Sequence, residues 1–120
     1  MKRALIIDDN ANNLTLEKDL LEVDGFLVFV AENATLGIEL ARSEKPDIII
    51  MDMRLPDMRG SDAAKILLQD IRTRDIAVVF VTASVLAEGI EEIRTIPNAA
   101  FVSKPINTRT FADDIKKFLK

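Results

Sequence analysis

Five short apolar segments alternate with stretches of helical periodicity, and this alternation constrains the fold more than any other feature of the sequence. Ile and Val are frequent in most of these segments, and apolar residues run nearly continuously through them instead of alternating with polar ones. Such runs are typical of strands that are buried on both faces of a sheet. We therefore predict strands at Ala4–Ile7, Phe26–Val30, Ile48–Met51, Ala77–Val81 and Ala100–Val102.

Helices are predicted between these strands. In the first of them, Leu16, Leu20 and Val23 recur at helical spacing, and Leu14 and Leu21 widen the apolar stripe. The full set of predicted helices is Asn12–Val23, Asn33–Ser43, Ser61–Ile71, Val85–Ile96 and Thr108–Leu119. Because strand and helix alternate five times, we predict an α/β fold, a doubly wound parallel sheet of five strands with helices on both faces.

The composition excludes several classes of function. A chain of 120 residues is expected to form a single domain over residues 1–120. It has no cysteine and no histidine, which removes disulfides, thiolate chemistry and histidine-based zinc sites. Its net charge of −4 and the lack of a basic stripe argue against direct nucleic-acid binding. Its longest apolar runs are far shorter than the ~20 residues that span a bilayer, so no membrane contact is expected.

Polar side chains that can bind a ligand or take part in a reaction lie where the predicted strands end. Asp8 and Asp9 follow the first strand, Asp52 closes the third, Thr82 closes the fourth, and Lys104 lies just beyond the fifth. In open α/β sheets, ligands bind beyond the carboxyl ends of the strands, at the point where the strand order reverses. With strand order 2-1-3-4-5, the first and third strands flank that point, so these side chains are expected to converge.

Their convergence would suit phosphoryl chemistry. Carboxylates crowded together repel one another and attract a hard divalent cation such as Mg²⁺, which accepts carboxylate and phosphate oxygens. A carboxylate such as that of Asp52 is also a nucleophile toward phosphorus and gives an aspartyl phosphate. The Lys104 ammonium would neutralise charge, and the Thr82 hydroxyl would donate a hydrogen bond to the phosphoryl group.

Each of these residues also has an ordinary explanation when it is taken alone. Asp8 and Asp9 would serve as a helix N-cap or a turn, and Asp52 as a turn former. Thr82 would cap the following helix, and Lys104 would be a solvated surface lysine. Their joint placement at one end of the predicted sheet favours the functional interpretation.

Four segments carry a resemblance to a known family. They are Ile6–Asn10, Asp47–Asp52 followed by Leu55-Pro56 and Gly60, Val81–Ala83, and Phe101–Pro105. In this order and at these spacings, they resemble the receiver domain of bacterial response regulators along the whole chain. The resemblance implies a flavodoxin-like (βα)5 fold, and a chain that either stands alone or is cut from a longer protein.

The resemblance also implies a phosphoacceptor and a metal site. Asp52 would carry the phosphoryl group. The metal ligands would be Asp9 directly, Asp8 mainly through water, Asp52, and the backbone carbonyl of Arg54. The cofactor would be Mg²⁺, and Mn²⁺ is expected to substitute for it.

Three further roles follow from the same resemblance. Thr82 and Lys104 would bind the phosphoryl group, and the Lys104–Pro105 peptide bond would be cis. Phe101 occupies the position of an aromatic switch residue and lacks the hydroxyl group of the commoner tyrosine. Thr82 and Phe101 would move together when the chain is phosphorylated.

The implied function is a step in a phosphorelay. A histidine kinase or a histidine phosphotransfer protein would donate the phosphoryl group, because the chain has no histidine of its own. Phosphorylation would change the surface of the fourth helix, fifth strand and fifth helix, which a downstream protein would bind. The chain would be a cytoplasmic signalling phosphoacceptor that catalyses only its own phosphorylation and autodephosphorylation, and not an enzyme in the usual sense.

Some features leave alternatives open. A pseudo-receiver would use the same fold only for protein interaction. An Asp-nucleophile hydrolase would need an acid where Arg54 stands, and a flavin or nucleotide carrier would need a phosphate-binding loop in place of Asp8-Asp9-Asn10. We also hypothesise that the Arg54 side chain covers the phosphoryl group and slows the attack of water. Pro97-Asn98-Ala99 replaces the turn usual in the family before the fifth strand.

Overall fold

The chain folds around a parallel five-stranded sheet with helices on both faces. The computed structural model describes residues 1–82 and 96–119, apart from the side chain of Thr82. The strands are β1 (Arg3–Ile7), β2 (Leu27–Ala31), β3 (Ile48–Asp52), β4 (Ala77–Thr82) and β5 (Ala99–Ser103). All four strand pairings are parallel, in the order β2-β1-β3-β4-β5. This architecture confirms the predicted fold class and strand order.

The described helices are α1 (Ala11–Val23), α2 (Ala34–Glu44), α3 (Gly60–Leu68) and a C-terminal helix (Phe111–Lys116). Every strand and the first two helices lie within one residue of their predicted bounds. The last two described helices are shorter than predicted. The predicted fourth helix, Val85–Ile96, lies almost entirely in residues 83–95, outside the described residues.

Local hydrogen bonds explain where α3 ends and where the C-terminal helix begins. Beyond α3, Asp70 turns the chain, because its carboxylate accepts the Arg72 backbone N–H at 2.9 Å and its carbonyl accepts the Thr73 N–H at 3.0 Å. Before the C-terminal helix, the Asn107 side chain accepts the Arg109 N–H at 3.0 Å, so the chain there forms a turn. Asp and Asn side chains compete with the helix for backbone donors in this way.

Asparagines begin the first two helices. Asn10 caps α1 by accepting the Asn13 N–H at 3.1 Å, and Asn33 caps α2 by accepting the Leu36 N–H at 2.8 Å. Such caps satisfy donors that have no partner within the helix. At the other end of α1, Gly25 adopts a φ of 95°, which only glycine tolerates easily, and reverses the chain toward β2.

Two layers of apolar side chains form the core, one on each face of the sheet. Alternate residues of the central strands point to opposite sides, so Leu5 and Ile49 pack toward α2 and α3 while Ile6 and Ile50 pack toward α1 and the C-terminal helix. Burial on both faces is therefore confirmed for β1, β3 and β4. It is wrong for the two edge strands: Leu27 and Val30 of β2 are exposed, and β5 has no buried residue and exposes Phe101.

The inner face of α1 differs from the predicted stripe. Leu14 and Leu21 are buried, whereas Leu16 is 41% exposed and Val23 is 90% exposed. Glu17 lies one helical turn from each of the two buried leucines and is itself buried. Of the predicted stripe, Leu20 packs against the core, whereas the expectation for Leu16 and Val23 was wrong because both are exposed.

No helix in the described part of the chain has the length and apolar character needed to cross a membrane.

Candidate functional site

Three carboxylates converge at the carboxyl end of the sheet, as the strand order predicts. β1 and β3 are neighbours, and Ile7 pairs with Met51, so Asp8 and Asp52 emerge side by side. One carboxylate oxygen each from Asp8, Asp9 and Asp52 lies within 4.8 Å of the other two. This spacing is small enough for all three residues to share one cation, and oxygen ligands suit Mg²⁺.

Asp8 is the buried member of the cluster, with 2% of its surface exposed. Its carboxylate accepts the Asn10 backbone N–H at 2.9 Å and the Asn13 side-chain amide at 3.4 Å. Burial raises the pKa of Asp8 above its usual range, and the nearby Asp52 charge raises it further. The two hydrogen bonds and the Lys104 ammonium oppose that shift without cancelling it. The cluster therefore holds negative charge that the chain itself compensates only in part.

Lys104 places a positive charge beside two of these carboxylates. It follows β5, and its Nζ lies 3.5 Å from Asp52 Oδ2 and 3.9 Å from Asp8 Oδ2. The Lys104–Pro105 peptide bond is cis. The ammonium group is thus beside the proposed acceptor, but at distances longer than a tight charge-assisted hydrogen bond of about 2.8 Å.

The loop after Asp52 folds closely back on the site. The Arg54 N–H lies 3.3 Å from Asp52 Oδ1, and the Gly60 N–H donates to the Met53 carbonyl at 2.8 Å. A Cβ at position 60 would lie 2.5 Å from the Asp52 carbonyl oxygen and 3.0 Å from the Met53 Cα. Because both obstacles are backbone atoms, a glycine is required there to keep the backbone of Asp52 in place.

Asp57, which sequence reasoning missed, anchors the same loop to α2. Its carboxylate accepts the Ala34 and Thr35 backbone N–H groups at 2.9 and 2.8 Å and the Thr35 hydroxyl at 2.6 Å. The Thr35 hydroxyl and these backbone donors lower the pKa of Asp57 to about 2. No local signal identifies this contact, because the partners are more than twenty positions apart in sequence.

Glu17 was missed as well, although the sequence held a signal for it. It is 3% exposed and lies one helical turn from both Leu14 and Leu21 on the inner face of α1. Burial raises the pKa of Glu17 to about 7, with a further contribution from the charge of Asp8. An acid between two apolar residues at helical spacing was the available signal.

The proposed switch residues are only partly described. Thr82 ends β4 and pairs with Ser103 of β5, which places its backbone beside the site, but its side chain is outside the described part of the structure. Phe101 lies on β5 with 37% of its surface exposed. The predicted fourth-helix side of the output surface lies in residues 83–95, outside the described residues.

Comparison with known families agrees with this geometry. The model of the response regulator receiver domain matches residues 4–116 of the chain. The polar-differentiation response regulator DivK of Brucella anthropi is 36% identical over 118 residues, which cover 98% of this chain and 96% of DivK. The chain therefore belongs to the response regulator receiver domain family, a class of signalling proteins in two-component systems and not of classical enzymes.

Solved structures share the fold. The chemotaxis response regulator CheY4 of Vibrio cholerae superposes with a TM-score of 0.92 at 21% identity, covering 99% of each chain. The receiver domain of a sensor histidine kinase from Pseudomonas aeruginosa PAO1 has a TM-score of 0.88 at 21% identity, covering 98% of this chain and 96% of that one. That structure has a magnesium ion coordinated in the active-site cleft.

Proposed function

We propose that Asp52 accepts a phosphoryl group from a phosphohistidine on a histidine kinase or a histidine phosphotransfer protein. The observation that carries this proposal is the convergence of the Asp8, Asp9 and Asp52 carboxylates beside the Lys104 ammonium group. The donor histidine lies outside residues 1–120, because these contain no histidine. The proposed receiver domain occupies residues 1–120 and acts in the cytoplasm.

The donor set fits a Mg²⁺ ion, and Mn²⁺ should substitute for it. Asp8, Asp9, Asp52 and the backbone carbonyl of Arg54 would hold the cation, with Asp8 acting mainly through water. The partly uncompensated charge around buried Asp8 favours a cation at this place. When bound, the ion supplies positive charge that offsets the phosphoryl oxygens and the crowded carboxylates.

The side chains of this protein have distinct tasks in the transfer. A carboxylate oxygen of Asp52 attacks phosphorus while the bond from phosphorus to the donor imidazole nitrogen breaks. Lys104, already 3.5 Å from Asp52, neutralises charge on the transferred group. Thr82 donates its hydroxyl hydrogen bond to a phosphoryl oxygen. The Arg54 side chain covers the product and slows its hydrolysis by water.

Phosphorylation then changes which conformation of the protein is populated. The new group carries about −1.5 to −2 charges. Thr82 moves toward it, and Phe101, which is exposed on β5, turns inward. The surface of the predicted fourth helix, β5 and the C-terminal helix is thereby recognised by a downstream protein. The chain catalyses its own phosphorylation and autodephosphorylation and binds no nucleic acid directly.

Intact mass spectrometry after incubation with acetyl phosphate tests this function. We expect one added phosphoryl group on the wild-type chain with Mg²⁺ and none in EDTA. Asp52→Asn should acquire no phosphoryl group under either condition, and Asp57→Asn should be labelled normally as a matched control. The alternative is a pseudo-receiver that serves only protein interaction, and a wild-type chain with no added mass under any condition would favour it.

A further inference from the structure

The Asp8 carboxylate accepts a hydrogen bond at each of its two oxygens from the start of α1. Its Oδ1 accepts the Asn10 backbone N–H at 2.9 Å, and its Oδ2 accepts the Asn13 side-chain amide at 3.4 Å. The Asn10 side chain in turn accepts the Asn13 backbone N–H at 3.1 Å, so the three residues form a closed ring of hydrogen bonds. Of the described side chains, only that of Asn13 donates a hydrogen bond to Asp8. The first turn of α1 therefore sets the orientation of this carboxylate.

The three carboxylates of the proposed metal site differ in how firmly they are held. Asp8 is 2% exposed and has a donor at each oxygen. Asp52 is partly buried and accepts one long hydrogen bond, from the Arg54 N–H at 3.3 Å. Asp9 is exposed. An incoming cation can therefore draw the Asp9 side chain toward itself, whereas Asp8 presents its oxygens at fixed positions.

Fixed oxygen atoms favour Mg²⁺ over a larger cation. Mg²⁺ requires near-ideal octahedral coordination at about 2.0–2.1 Å and retains several waters, whereas Ca²⁺ accepts flexible arrangements at about 2.3–2.6 Å. Groups that hold a metal-binding side chain in place typically contribute roughly 10- to 100-fold to metal affinity. A donor that fixes Asp8 should therefore matter more for Mg²⁺ than for Ca²⁺.

The Asn13 amide also stabilises the charged form of Asp8 at no electrostatic cost to a cation. Burial raises the pKa of Asp8, and the hydrogen bonds from Asn10 and Asn13 lower it. The Lys104 ammonium, whose Nζ lies 3.9 Å from the same Oδ2, lowers it too, but a positive group also repels a cation that enters the site. Asn13 is uncharged, so it favours the ionised carboxylate without that repulsion.

We propose that Asn13 is a positioning residue that fixes the Asp8 carboxylate and thereby gives the metal site its preference for Mg²⁺ over Ca²⁺. The inference rests on the proposed function, because it concerns the metal ion on which the phosphoryl transfer depends. Asn13 acts through Asp8 and touches neither the metal ion nor the phosphoryl group. Its task is therefore separate from those of Asp52 and Lys104.

The first test measures the Kd values of the metal-free protein for Mg²⁺ and Ca²⁺ separately, by titration followed with ¹⁵N NMR. Asn13→Leu replaces the amide with an apolar side chain of similar size and keeps the backbone N–H that Asn10 accepts. It should weaken Mg²⁺ binding about tenfold and Ca²⁺ binding less than about threefold. Asn12→Leu is the matched control, because Asn12 is exposed on the same helical turn, and it should bind both ions like the wild type.

A second variant keeps the outcome decisive. Asn13→Ala preserves the test if Asn13→Leu folds poorly, and it should show the same loss of preference for Mg²⁺. Thermal unfolding in EDTA checks that each variant is folded. Equal losses of Mg²⁺ and Ca²⁺ affinity would show that Asn13 does not act through the geometry of Asp8, and would overturn the proposal. Wild-type Mg²⁺ affinity in both variants would overturn it as well.

The second test measures labelling by acetyl phosphate as the Mg²⁺ concentration is varied. Asn13→Ala should need about tenfold more Mg²⁺ for half-maximal labelling, and at saturating Mg²⁺ it should reach the wild-type rate, because Asp52 and Lys104 are unchanged. A lower rate at saturating Mg²⁺, with the half-maximal concentration unchanged, would contradict a positioning role. A wild-type chain that binds Mg²⁺ but is never labelled would instead contradict the proposed function, so the two failures are distinguishable.

Discussion

Acidic side chains occupy opposite environments at the two ends of the sheet. At the carboxyl ends of the strands, burial raises the pKa values of Asp8 and Glu17. At the other end, Asp70 accepts hydrogen bonds from Arg72 Nη2 at 2.8 Å and Arg42 Nε at 2.9 Å. The Arg72 guanidinium, the Arg72 backbone N–H and Arg42 hold the pKa of Asp70 well below its usual range.

The difference separates acids that support the fold from acids that serve the site. Asp70 ties the end of α3 to α2 and needs no other molecule. Asp8 and Glu17 are held where burial disfavours their ionised forms, and the two hydrogen bonds that Asp8 accepts do not cancel this effect. Strained groups of this kind persist at functional sites because the rest of the fold stabilises them. We infer that the missing partner of Asp8 is a metal ion, which Asp9 and Asp52 would share.

The largest expected effect concerns the pH dependence of stability at Glu17. Its pKa rises from 4.5 to about 7 on folding, so the folded state binds the proton more tightly than the unfolded state. The free energy of unfolding should therefore fall as pH rises from 4.5 to 7, by about 3 kcal/mol from this group. In EDTA, urea unfolding of Glu17→Gln should lack this loss, and the variant should exceed the wild type most at pH 8.

Equal pH profiles for wild type and Glu17→Gln would show that Glu17 is not disfavoured when ionised. The contrast between the two ends of the molecule would then rest on Asp8 alone. Glu22→Gln is the control on the same helix, because Glu22 makes only a surface ion pair with Lys18, worth about 0.3–0.5 kcal/mol.

Smaller effects on Tm, opposite in sign to each other, are expected at Asp8 and Asp70. Asp8→Asn removes a buried charge that Asp52 repels, so the Tm in EDTA should rise by a few degrees while the affinity for Mg²⁺ falls at least about tenfold. Asp70→Asn removes the partner of two arginines, so its Tm should fall while Mg²⁺ binding is unchanged. Differential scanning calorimetry and a Mg²⁺ titration give both quantities. Tm changes of the same sign would contradict the comparison.

The smallest effect is expected at Asp57, which lies near the site but resembles Asp70 in its hydrogen bonding. Its folded pKa of about 2 is below the ordinary value of 3.8. Its contribution to stability is therefore present above pH 4 and is lost as pH falls toward 2. Asp57→Asn should lower the Tm slightly at pH 7, and the difference from the wild type should shrink at pH 3. A difference that grows on acidification would be inconsistent with this account.

Much of the site was predictable because parallel strands end at the same edge of a sheet. The strand order and the strand ends were sufficient to predict that Asp8 and Asp52 lie side by side. Helix α1 was harder, since Leu14, Leu16, Leu20, Leu21 and Val23 supply apolar residues to more than one face. The sequence therefore did not define which face packs on the sheet. Because the buried face was not identified, the burial of Glu17 was missed.

Contacts between distant segments could not be predicted from sequence patterns. Asp57 bonds to Ala34 and Thr35 only because the loop after Asp52 folds back toward α2. The C-terminal helix was predicted to begin at Thr108, but Asn107 holds the residues before Phe111 in a turn. In both cases a polar side chain fixes the backbone path through a hydrogen bond. The spacing of apolar residues gives no sign of such a bond.

The central claim is that Asp52, and no other acid of the cluster, becomes an aspartyl phosphate. The most direct measurement is borohydride reduction after acetyl phosphate treatment, followed by tandem mass spectrometry, since borohydride converts an aspartyl phosphate to homoserine. We expect homoserine at position 52 with Mg²⁺ and none in EDTA. Homoserine at position 8, 9 or 57, or its absence from position 52 with Mg²⁺, would contradict it.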